Sequence, residues 1–403
     1  MPLSSSSLRL PTQRACFWRR QIRCNQAISS IFCRDVTTKA SEDANTKFTQ
    51  QLEDMKNRAL PVEEGLWDKR NIQALRRTLQ SHLSLPQFSY PNHIPPGYHQ
   101  VSFNSLPDEH ELSHDGAEQR HAPNDEWKFR VWAGGHLDFQ KPFLWTEGCR
   151  GPEFVAVNEN ITDTRLIGNA NAHNSKVMVT ITKSLFAPEL DAQGQPVRGS
   201  RNQICTSKAK NNILLREQKH LCFMREIPGS LKSASSVRKI AFPSDPDYSQ
   251  TMIPSATLLF RFSALTRNAH AIHLDGDYTR EVYGLPKPLV HGPLTPVLML
   301  DVLGEALALK SHGHAAALAI RSFQYRNLLP LFVNEQITIA CKRLHDTKPD
   351  TTKYQTESAA PWQKWDVWIQ KGEGKDATLA VRGSALVSPE PFPGSERERD
   401  PSG

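Results

Sequence analysis

Two segments of the chain repeat at one spacing, and this repeat constrains the fold more than any other feature. The segment PFLWTE at 142–147 matches PLFVNE at 330–335, and KVMVTITK at 176–183 matches KWDVWIQK at 364–371. Both pairs are offset by 188 residues (142 to 330 and 176 to 364), so both fit a single duplication. Because 403 residues exceed one ordinary domain, we expect two tandem copies of one domain, each of roughly 150–170 residues.

Several segments in each copy have the pattern of strands. They are rich in β-branched and aromatic residues and are separated by polar turns. In the first copy these segments are EFVAVNENIT, KVMVTITKSLF and NNILLREQKHLCF, and in the second FVNEQITIACKRL, KWDVWIQKG and ATLAVRGSALV. Each copy is therefore predicted to form an antiparallel sheet.

One long apolar segment of the second copy indicates a buried helix. PLTPVLMLDVLGEALALKSHG at 293–313 has Pro293 where the first helical residue is expected, and it is apolar nearly all round. A buried helix wrapped by an antiparallel sheet is the hotdog architecture. The predicted fold class is α+β, a tandem (double) hotdog fold in which each antiparallel sheet is wrapped around a helix.

The first copy lacks this helix at the equivalent position. Residues 106–122, LPDEHELSHDGAEQRHA, are polar and are expected to form a loop. A helix instead fits at about 62–82, where apolar residues recur at helical spacing. We therefore expect the first copy to be degenerate and supporting, and the second copy to hold the functional site.

Most of the net charge of +7 lies in the first 40 residues, so the rest of the chain offers no basic surface for nucleic acid. The first 34 residues are rich in Ser and Arg and contain no acid, which is typical of a mitochondrial transit peptide; a disordered basic tail is the alternative. We expect a location in the mitochondrial matrix and no membrane span. The predicted organisation is a transit peptide at 1–35, an N-terminal hotdog domain at 60–228, a linker at 229–255, a C-terminal hotdog domain at 256–390 and a disordered tail at 391–403.

Candidate functional residues concentrate between 258 and 294. LLFRFSALTRN at 258–268 is predicted to run from a strand into a loop, and the loop then carries three histidines before a Gly-Pro helix start. The histidines His270, His273 and His291 could bind zinc, but a metal site leaves the Gly-Pro helix start unexplained. The scattered cysteines form no CxxC pair and the chain has no nucleotide-binding glycine motif. We expect no metal and no cofactor.

This segment resembles the MaoC-like hydratases and dehydratases. Their usual motif is Asp-x-Asn-Pro-x-His with a later His-Gly at a helix start, and this chain has Asn268-Ala-His270-Ala-Ile-His273, with Asn268 in the Asp position. RVWAGGHLDF at 130–139 and FRFSALTRNAHAIHLD at 260–275 are similar to a narrower branch, the fungal mitochondrial hydroxyacyl-thioester dehydratases of type 2, with the mesaconyl-CoA hydratases beside it. The resemblance covers roughly 60–385.

The resemblance implies a hydro-lyase that interconverts (R)-3-hydroxyacyl and trans-2-enoyl thioesters in mitochondrial fatty acid synthesis. The substrate would be an acyl thioester of acyl carrier protein (ACP) or of coenzyme A. Two alternatives stay open: a hydratase of dicarboxylic acyl-CoA such as mesaconyl-CoA, and a non-catalytic module that binds an acyl thioester or ACP. Two hotdogs in one chain already form a pair, so a monomer and a homodimer are both compatible with the sequence.

Each candidate residue has a chemical role in such a reaction. His273 is the expected base because imidazole titrates near neutral pH. Asn268 can hydrogen-bond the leaving hydroxyl but cannot exchange a proton, so His273 is expected to act as base and then as acid. The Gly292 N–H is expected to stabilise the enolate oxygen, with the missing side chain letting the thioester carbonyl approach. His270 and His291 are expected to bind or orient substrate, with structural roles open for both.

Overall fold

The computed structural model describes residues 39–86, 94–140, 154–189, 191–193, 195–198, 213–227, 240–310, 319–354 and 360–389. The predicted leader (1–35), the predicted tail (391–403) and the repeat segment 142–147 lie outside these residues. The helices are α1 (Lys39–Asp54), α2 (Lys69–Leu79), α3 (Ala256–Thr266), α4 (Gly276–Glu281), α5 (Leu294–Lys310) and α6 (Thr351–Tyr354). The strands are β1 (Glu63–Leu66), β2 (Phe129–Phe139), β3 (Phe154–Ile167), β4 (Lys176–Phe186), β5 (Ile213–Met224), β6 (Tyr248–Met252), β7 (Ala319–Asn327), β8 (Ile337–Thr347), β9 (Trp362–Lys371) and β10 (Thr378–Ser388).

The strands form one antiparallel sheet in the order β1-β3-β4-β5-β2-β7-β10-β9-β8-β6. Read inward from either edge, the order is the same for the two copies: β1, β3, β4, β5, β2 and β6, β8, β9, β10, β7. The copies meet where β2 pairs with β7, from Gly134 opposite Arg326 to Asp138 opposite Ser322. The repeat segments KVMVTITK and KWDVWIQK form β4 and β9, which hold equivalent places. The predicted duplication and the α+β double-hotdog fold are confirmed.

The six strands predicted from sequence are β3, β4, β5, β8, β9 and β10. In β4 every second residue is buried, as expected when a strand packs one face on a core. The predicted linker at 229–255 is not simply a connection, because its residues 248–252 form β6 and pair with β8 at the edge of the second copy.

The buried helix predicted at 293–313 is confirmed as α5. Its two buried polar side chains are Thr295 and Asp301, and its many buried apolar side chains join the main hydrophobic core. Each fully buried Leu or Val stabilises the fold by about 1.5–3 kcal/mol. The helix packs on β8, β9 and β6 of its own copy. No helix in the described part of the chain is both long and apolar enough to cross a membrane.

The strand predicted at the start of 258–268 is wrong, because these residues belong to helix α3. The Ser255 side chain accepts a hydrogen bond from the Leu258 N–H and caps the helix, and Arg267 ends it in a left-handed conformation. Leu258, Leu259 and Phe262 lie buried on one face, a helical spacing that the run of apolar letters concealed.

The helix predicted at about 62–82 is shorter, since it spans α2 and is preceded by strand β1 (Glu63–Leu66). Helices α2 and α3 are related by an offset of 187 (69 to 256, 79 to 266) and pack together, with Arg261 Nε donating to Thr78 Oγ1 at 2.7 Å. Thus α2 is the counterpart of α3 and not of α5. The loop predicted at 106–122 is confirmed as turns around a short 3-10 helix, Glu109–Glu111.

Candidate active site

The loop between α3 and α4 brings Asn268, His270 and His273 together. The Asn268 N–H donates to the Ser263 carbonyl at 2.9 Å, and the Asn268 Oδ1 accepts the His270 N–H at 3.1 Å. A 3-10 turn over Ala271–His273 follows. Since Oδ1 is engaged by the backbone, the Asn268 amide is oriented with its NH₂ group as the available donor.

A backbone carbonyl orients the His273 ring. Its Nδ1 lies 2.8 Å from the Leu289 carbonyl oxygen, which can only accept, so Nδ1 carries the proton and Nε2 keeps its lone pair. Burial, with a smaller contribution from His270, lowers the pKa of His273 to about 3. His273 is therefore neutral at physiological pH and in the form that accepts a proton.

His270 has a carboxylate partner that the sequence did not indicate. Its Nε2 lies 3.1 Å from Asp115 Oδ2 and 3.2 Å from the Tyr283 hydroxyl. Asp115 also accepts hydrogen bonds from the Tyr278 hydroxyl, at 3.0 Å, and from Ser113. Burial alone would raise the pKa of Asp115, but its hydrogen bonds from His270, Ser113 and Tyr278 outweigh burial and hold the pKa well below its usual range. His270 is thus paired with an ionised carboxylate.

Asp115 belongs to the first copy, in the loop that is equivalent in sequence to α5. Its backbone carbonyl accepts the Ala271 N–H at 2.8 Å. The next residue, Gly116, has φ +75°, and a Cβ there would lie 2.4 Å from the Ala269 carbonyl oxygen. The Asp-Gly pair is a turn signal in the sequence, but only the fold shows that this turn docks on the loop of the second copy.

Gly292 lies two residues before α5, at the end of the helix where the dipole is positive. No described residue accepts a hydrogen bond from this N–H. A Cβ at Gly292 would lie 2.3 Å from Trp132 Cβ, so the indole of the first copy occupies the space of the missing side chain. Close packing of Trp132 is thus a second reason for a glycine here, beside the predicted room for the thioester carbonyl.

His291 lies behind the site. It is fully buried, its Nε2 contacts Ser263 Oγ at 2.8 Å, and its ring stacks on His273 with centroids 3.8 Å apart. Burial, followed by the proximity of His273, holds its pKa well below the usual value. A direct contact with substrate does not fit this position, and a role in fixing the His273 ring does.

One cavity of about 980 Å³ joins the two copies. Asn268, His270, His273 and Gly292 lie on its wall, and His291 does not. The first copy contributes much of the wall, including Arg130, which sequence analysis did not single out. Among the described residues, no group of three or more His, Cys, Asp or Glu side chains is arranged to hold a metal ion.

The model of the hydroxyacyl-thioester dehydratase type 2 family matches residues 97–333, more than half of the chain. The chain belongs to this family. The matched region contains the loop with Asp115, the histidines and the start of α5, so both copies contribute to the family's characteristic sequence.

Two curated proteins are similar over most of their length. The mitochondrial hydroxyacyl-thioester dehydratase type 2 of Schizosaccharomyces pombe is 25% identical over 283 residues, covering 66% of this chain and 85% of that protein. The mesaconyl-C(4)-CoA hydratase of Chloroflexus aurantiacus is 27% identical over 261 residues, covering 64% of this chain and 78% of that protein.

A solved structure supports the fold of this hydroxyacyl-thioester dehydratase type 2 family member. The crystal structure of a MaoC-like dehydratase from Phytophthora capsici aligns with a TM-score of 0.50 at 13% identity, covering 84% of this chain and 98% of that one. At this identity the similarity concerns the fold alone.

Proposed function

We propose that the protein is a hydro-lyase that interconverts (R)-3-hydroxyacyl and trans-2-enoyl thioesters. The observation that carries the proposal is the His273 imidazole, fixed by Leu289 with Nε2 unprotonated, on the same cavity wall as the Gly292 N–H. A base and an oxyanion donor on one wall are what removal of a proton next to a thioester carbonyl requires.

In the dehydration direction, His273 Nε2 takes the C2 proton and the developing enolate oxygen accepts the Gly292 N–H. The C2=C3 double bond forms as the C3–O bond breaks. The leaving hydroxyl takes the proton from the His273 imidazolium and departs as water, so the residue ends in its starting form. Asn268 donates from its NH₂ group to the hydroxyl, and His270, held by Asp115, positions Asn268 through the His270 N–H.

The carrier is either acyl carrier protein or coenzyme A. An unsubstituted acyl chain on ACP corresponds to a role in mitochondrial fatty acid synthesis, as the name of the yeast relative suggests. A dicarboxylic chain on coenzyme A corresponds to the reaction named for the bacterial relative.

The test is the ultraviolet absorbance of a trans-2-enoyl-CoA mixed with the purified protein. We expect the enoyl band to decay with the wild type, and His273→Ala to lower kcat/KM by about 10²–10⁴-fold. Asp275→Asn is a suitable control, because Asp275 only caps α4 by accepting the Asp277 and Tyr278 N–H groups. An unchanged enoyl band with the wild type across short, long and dicarboxylic thioesters would favour the non-catalytic binding module.

We also propose that the protein acts in the mitochondrial matrix. The Arg- and Ser-rich first 34 residues without acids and the mitochondrial name of the yeast relative support this location. A fluorescent protein fused to residues 1–40 should enter mitochondria, and replacing the six arginines of this segment by glutamine should abolish import. A diffuse signal from the unmodified fusion would contradict the proposal.

A further inference from the structure

A chain of polar contacts links the start of α5 to the strand of the first copy that packs against it. Thr295 Oγ1 lies 2.7 Å from the Gly292 carbonyl oxygen and 3.3 Å from Asn327 Oδ1. Asn327 Nδ2 donates to the Trp132 carbonyl at 2.9 Å. Trp132 in turn packs against Gly292, where an added Cβ would lie 2.3 Å from Trp132 Cβ. Gly292, Thr295, Asn327 and Trp132 thus form a closed network of contacts, which we call the Gly292 network.

Asn327 lies where the pairing between the two copies ends. The register of β2 with β7 begins at Gly134 opposite Arg326, so it does not include Trp132. In the pairing of β2 with β5, a bulge at this point places Ala133 as an extra residue between Trp132 and Gly134. The Asn327 side chain, at the end of β7, therefore adds a contact between the copies beyond the last pair of their backbone register.

The Gly292 backbone is held on both sides of its Cα. Support matters here because glycine has more backbone freedom than any other residue. The Gly292 N–H belongs to the peptide shared with His291, and the His291 carbonyl accepts the Leu294 N–H at 3.0 Å. The Gly292 carbonyl belongs to the next peptide and is contacted by the Thr295 hydroxyl. Both peptide planes at Gly292 are therefore restrained, and with them the direction of the N–H.

The chemistry of an amide suits the position of Asn327. An amide donates through its nitrogen and accepts through its oxygen, so Asn327 can contact the Trp132 carbonyl and the Thr295 hydroxyl at once. A carboxylate would have no donor for the carbonyl, and alanine would have neither group. Thr295 is buried, and all four residues of the Gly292 network line the cavity that also holds His273. The network therefore lies at the reaction centre and not at a distant part of the sheet.

We infer that Asn327 and Thr295 are positioning residues that fix the Gly292 N–H where the enolate oxygen develops. This inference rests on the proposed hydro-lyase function, in which Gly292 is the oxyanion donor. Neither side chain transfers a proton, and each acts through the backbone of Gly292. A displacement of about 1 Å at a reacting centre can lower a rate about 100-fold, so a small shift of the helix start is sufficient.

The first test measures kcat and KM separately with a trans-2-enoyl-CoA. We expect Asn327→Ala to lower kcat about 10–100-fold with little change in KM, because the N–H stabilises the enolate oxygen more than the carbonyl of the bound substrate. Thr295→Val keeps the shape of the side chain without its hydroxyl and should lower kcat to a similar extent. Thr295→Ser keeps the hydroxyl and should lower kcat less than about threefold. Asn160→Ala is the matched control, because Asn160 is exposed on β3, and its kcat should equal that of the wild type.

The second test observes the hydrogen bond from Gly292 without turnover. A saturated acyl-CoA, isotopically labelled at the thioester carbonyl, can occupy the site but can be neither hydrated nor dehydrated. A hydrogen bond to its carbonyl oxygen weakens the C=O bond and lowers the infrared stretching frequency. We expect binding to the wild type to lower this frequency, and the shift to be smaller in Asn327→Ala and Thr295→Val. A residue that only stabilises the fold would not change the shift.

A folded Asn327→Ala with wild-type kcat would overturn the inference. A lower kcat with the carbonyl frequency of the bound thioester at its wild-type value would also overturn it. Thr295→Val provides the same comparison if Asn327→Ala does not fold. If the wild type hydrates no enoyl thioester, the proposed function fails, and the infrared shift then tests the positioning role alone: an equal shift in Asn327→Ala contradicts it, and a smaller shift supports it.

Discussion

The two copies share a strand order and differ in what lies against the inner face of the sheet. In the second copy α5 covers it with apolar side chains. In the first copy the equivalent residues, 106–122, form a loop, and the sheet carries the charged row of Glu159, Lys183 and Glu217. The loss of a central helix has thus left a cavity and a loop that serve the other copy.

That loop reaches the loop of the second copy with the histidines. Asp115 pairs with His270 and also accepts the Ala271 N–H, and Gly116 packs against Ala269. The difference between the copies teaches that a duplicated domain can divide its work: the second copy supplies His273 and the start of α5, and the first supplies side chains that contact this region.

The largest effect is expected from the contact between the copies at Gly292. In Gly292→Ala the new Cβ would overlap Trp132, so the indole or the start of α5 must move. We expect kcat/KM on an enoyl thioester to fall more than about 100-fold, because the N–H of an oxyanion donor acts only when it is well placed. The enoyl absorbance assay measures this loss.

The control for Gly292→Ala comes from the first copy. Gly65 in β1 has room for a Cβ, with Phe103 as its nearest contact at 4.0 Å. Gly65→Ala should therefore retain wild-type kcat/KM. If kcat/KM fell equally in Gly65→Ala and Gly292→Ala, the loss in Gly292→Ala could not be assigned to the contact between Gly292 and Trp132.

The next largest effect is expected at Asp115, which tests whether the first copy positions the histidines. In Asp115→Asn the partner of His270 loses its charge, and the protonated form of His270 is less stable. We expect kcat to fall about 10–100-fold and KM to change little, by analogy with loss of a group that orients a histidine. Because a carboxylate raises the pKa of a neighbouring histidine, any acidic limb of the kcat profile that reports His270 should move to lower pH.

Asp163→Asn provides the control, because Asp163 is exposed on β3 of the same copy. Its kcat and pH profile should equal those of the wild type. If Asp115→Asn lowers the free energy of unfolding but changes neither kcat nor its pH profile, Asp115 has a structural role only.

Local patterns in the sequence were sufficient for the repeat, six strands and α5, because these elements have strong alternation or a continuous apolar run. Helix α3 was missed, since its aromatic and apolar residues also fit a strand and its cap is a single serine, Ser255. His273, Asn268 and Gly292 were predicted as one site because they are close in the sequence (268 to 292), and all three lie on one cavity wall; their catalytic roles stay predictions.

Asp115 and Trp132 could not be found in this way. Each lies more than 150 residues from its contact in the second copy (115 to 270 and 132 to 292), and no local pattern links residues across the pairing of β2 with β7. For His291 the sequence left a structural and a substrate-binding role open for a related reason: a residue beside a helix start can point into the cavity or behind it, and only the packing of α3 decides.

The two copies should also respond oppositely to pH. Burial raises the pKa of Asp301 on α5 to about 7, above its unfolded value of about 3.9. The contribution of Asp301 to the free energy of unfolding is therefore fully present at low pH and is lost as pH rises towards 7. Burial, followed by the charge of Lys219, lowers the pKa of Lys183 to about 8, below an unfolded value of about 10.4, so stability is lost as pH falls from 10 towards 8.

Denaturation midpoints as a function of pH separate these effects. The wild-type free energy of unfolding should fall between pH 5 and 8, and in Asp301→Asn this fall should be smaller by about 1–2 kcal/mol. The amide cannot ionise, and its oxygen can still accept a hydrogen bond from Tyr98. In Lys183→Met the fall in the free energy of unfolding between pH 10 and 8 should be smaller instead. A flat wild-type profile between pH 5 and 8 would contradict the buried ionisation of Asp301.

The smallest effect is expected where β2 of the first copy pairs with β7 of the second. There the Trp132 indole N–H donates to the Tyr325 hydroxyl at 2.8 Å. Tyr325→Phe keeps the buried ring and leaves the indole N–H without its acceptor, so the free energy of unfolding should fall by about 1 kcal/mol. Thr162→Val, which removes an exposed hydroxyl pair with Thr182 inside the first copy, should change it by less than about 0.5 kcal/mol. Since the pairing of β2 with β7 joins both copies in one sheet, Tyr325→Phe should shift a single unfolding transition. Two separated transitions, with only one shifted, would mean that the copies fold independently and that the cavity between them is assembled only after each has folded.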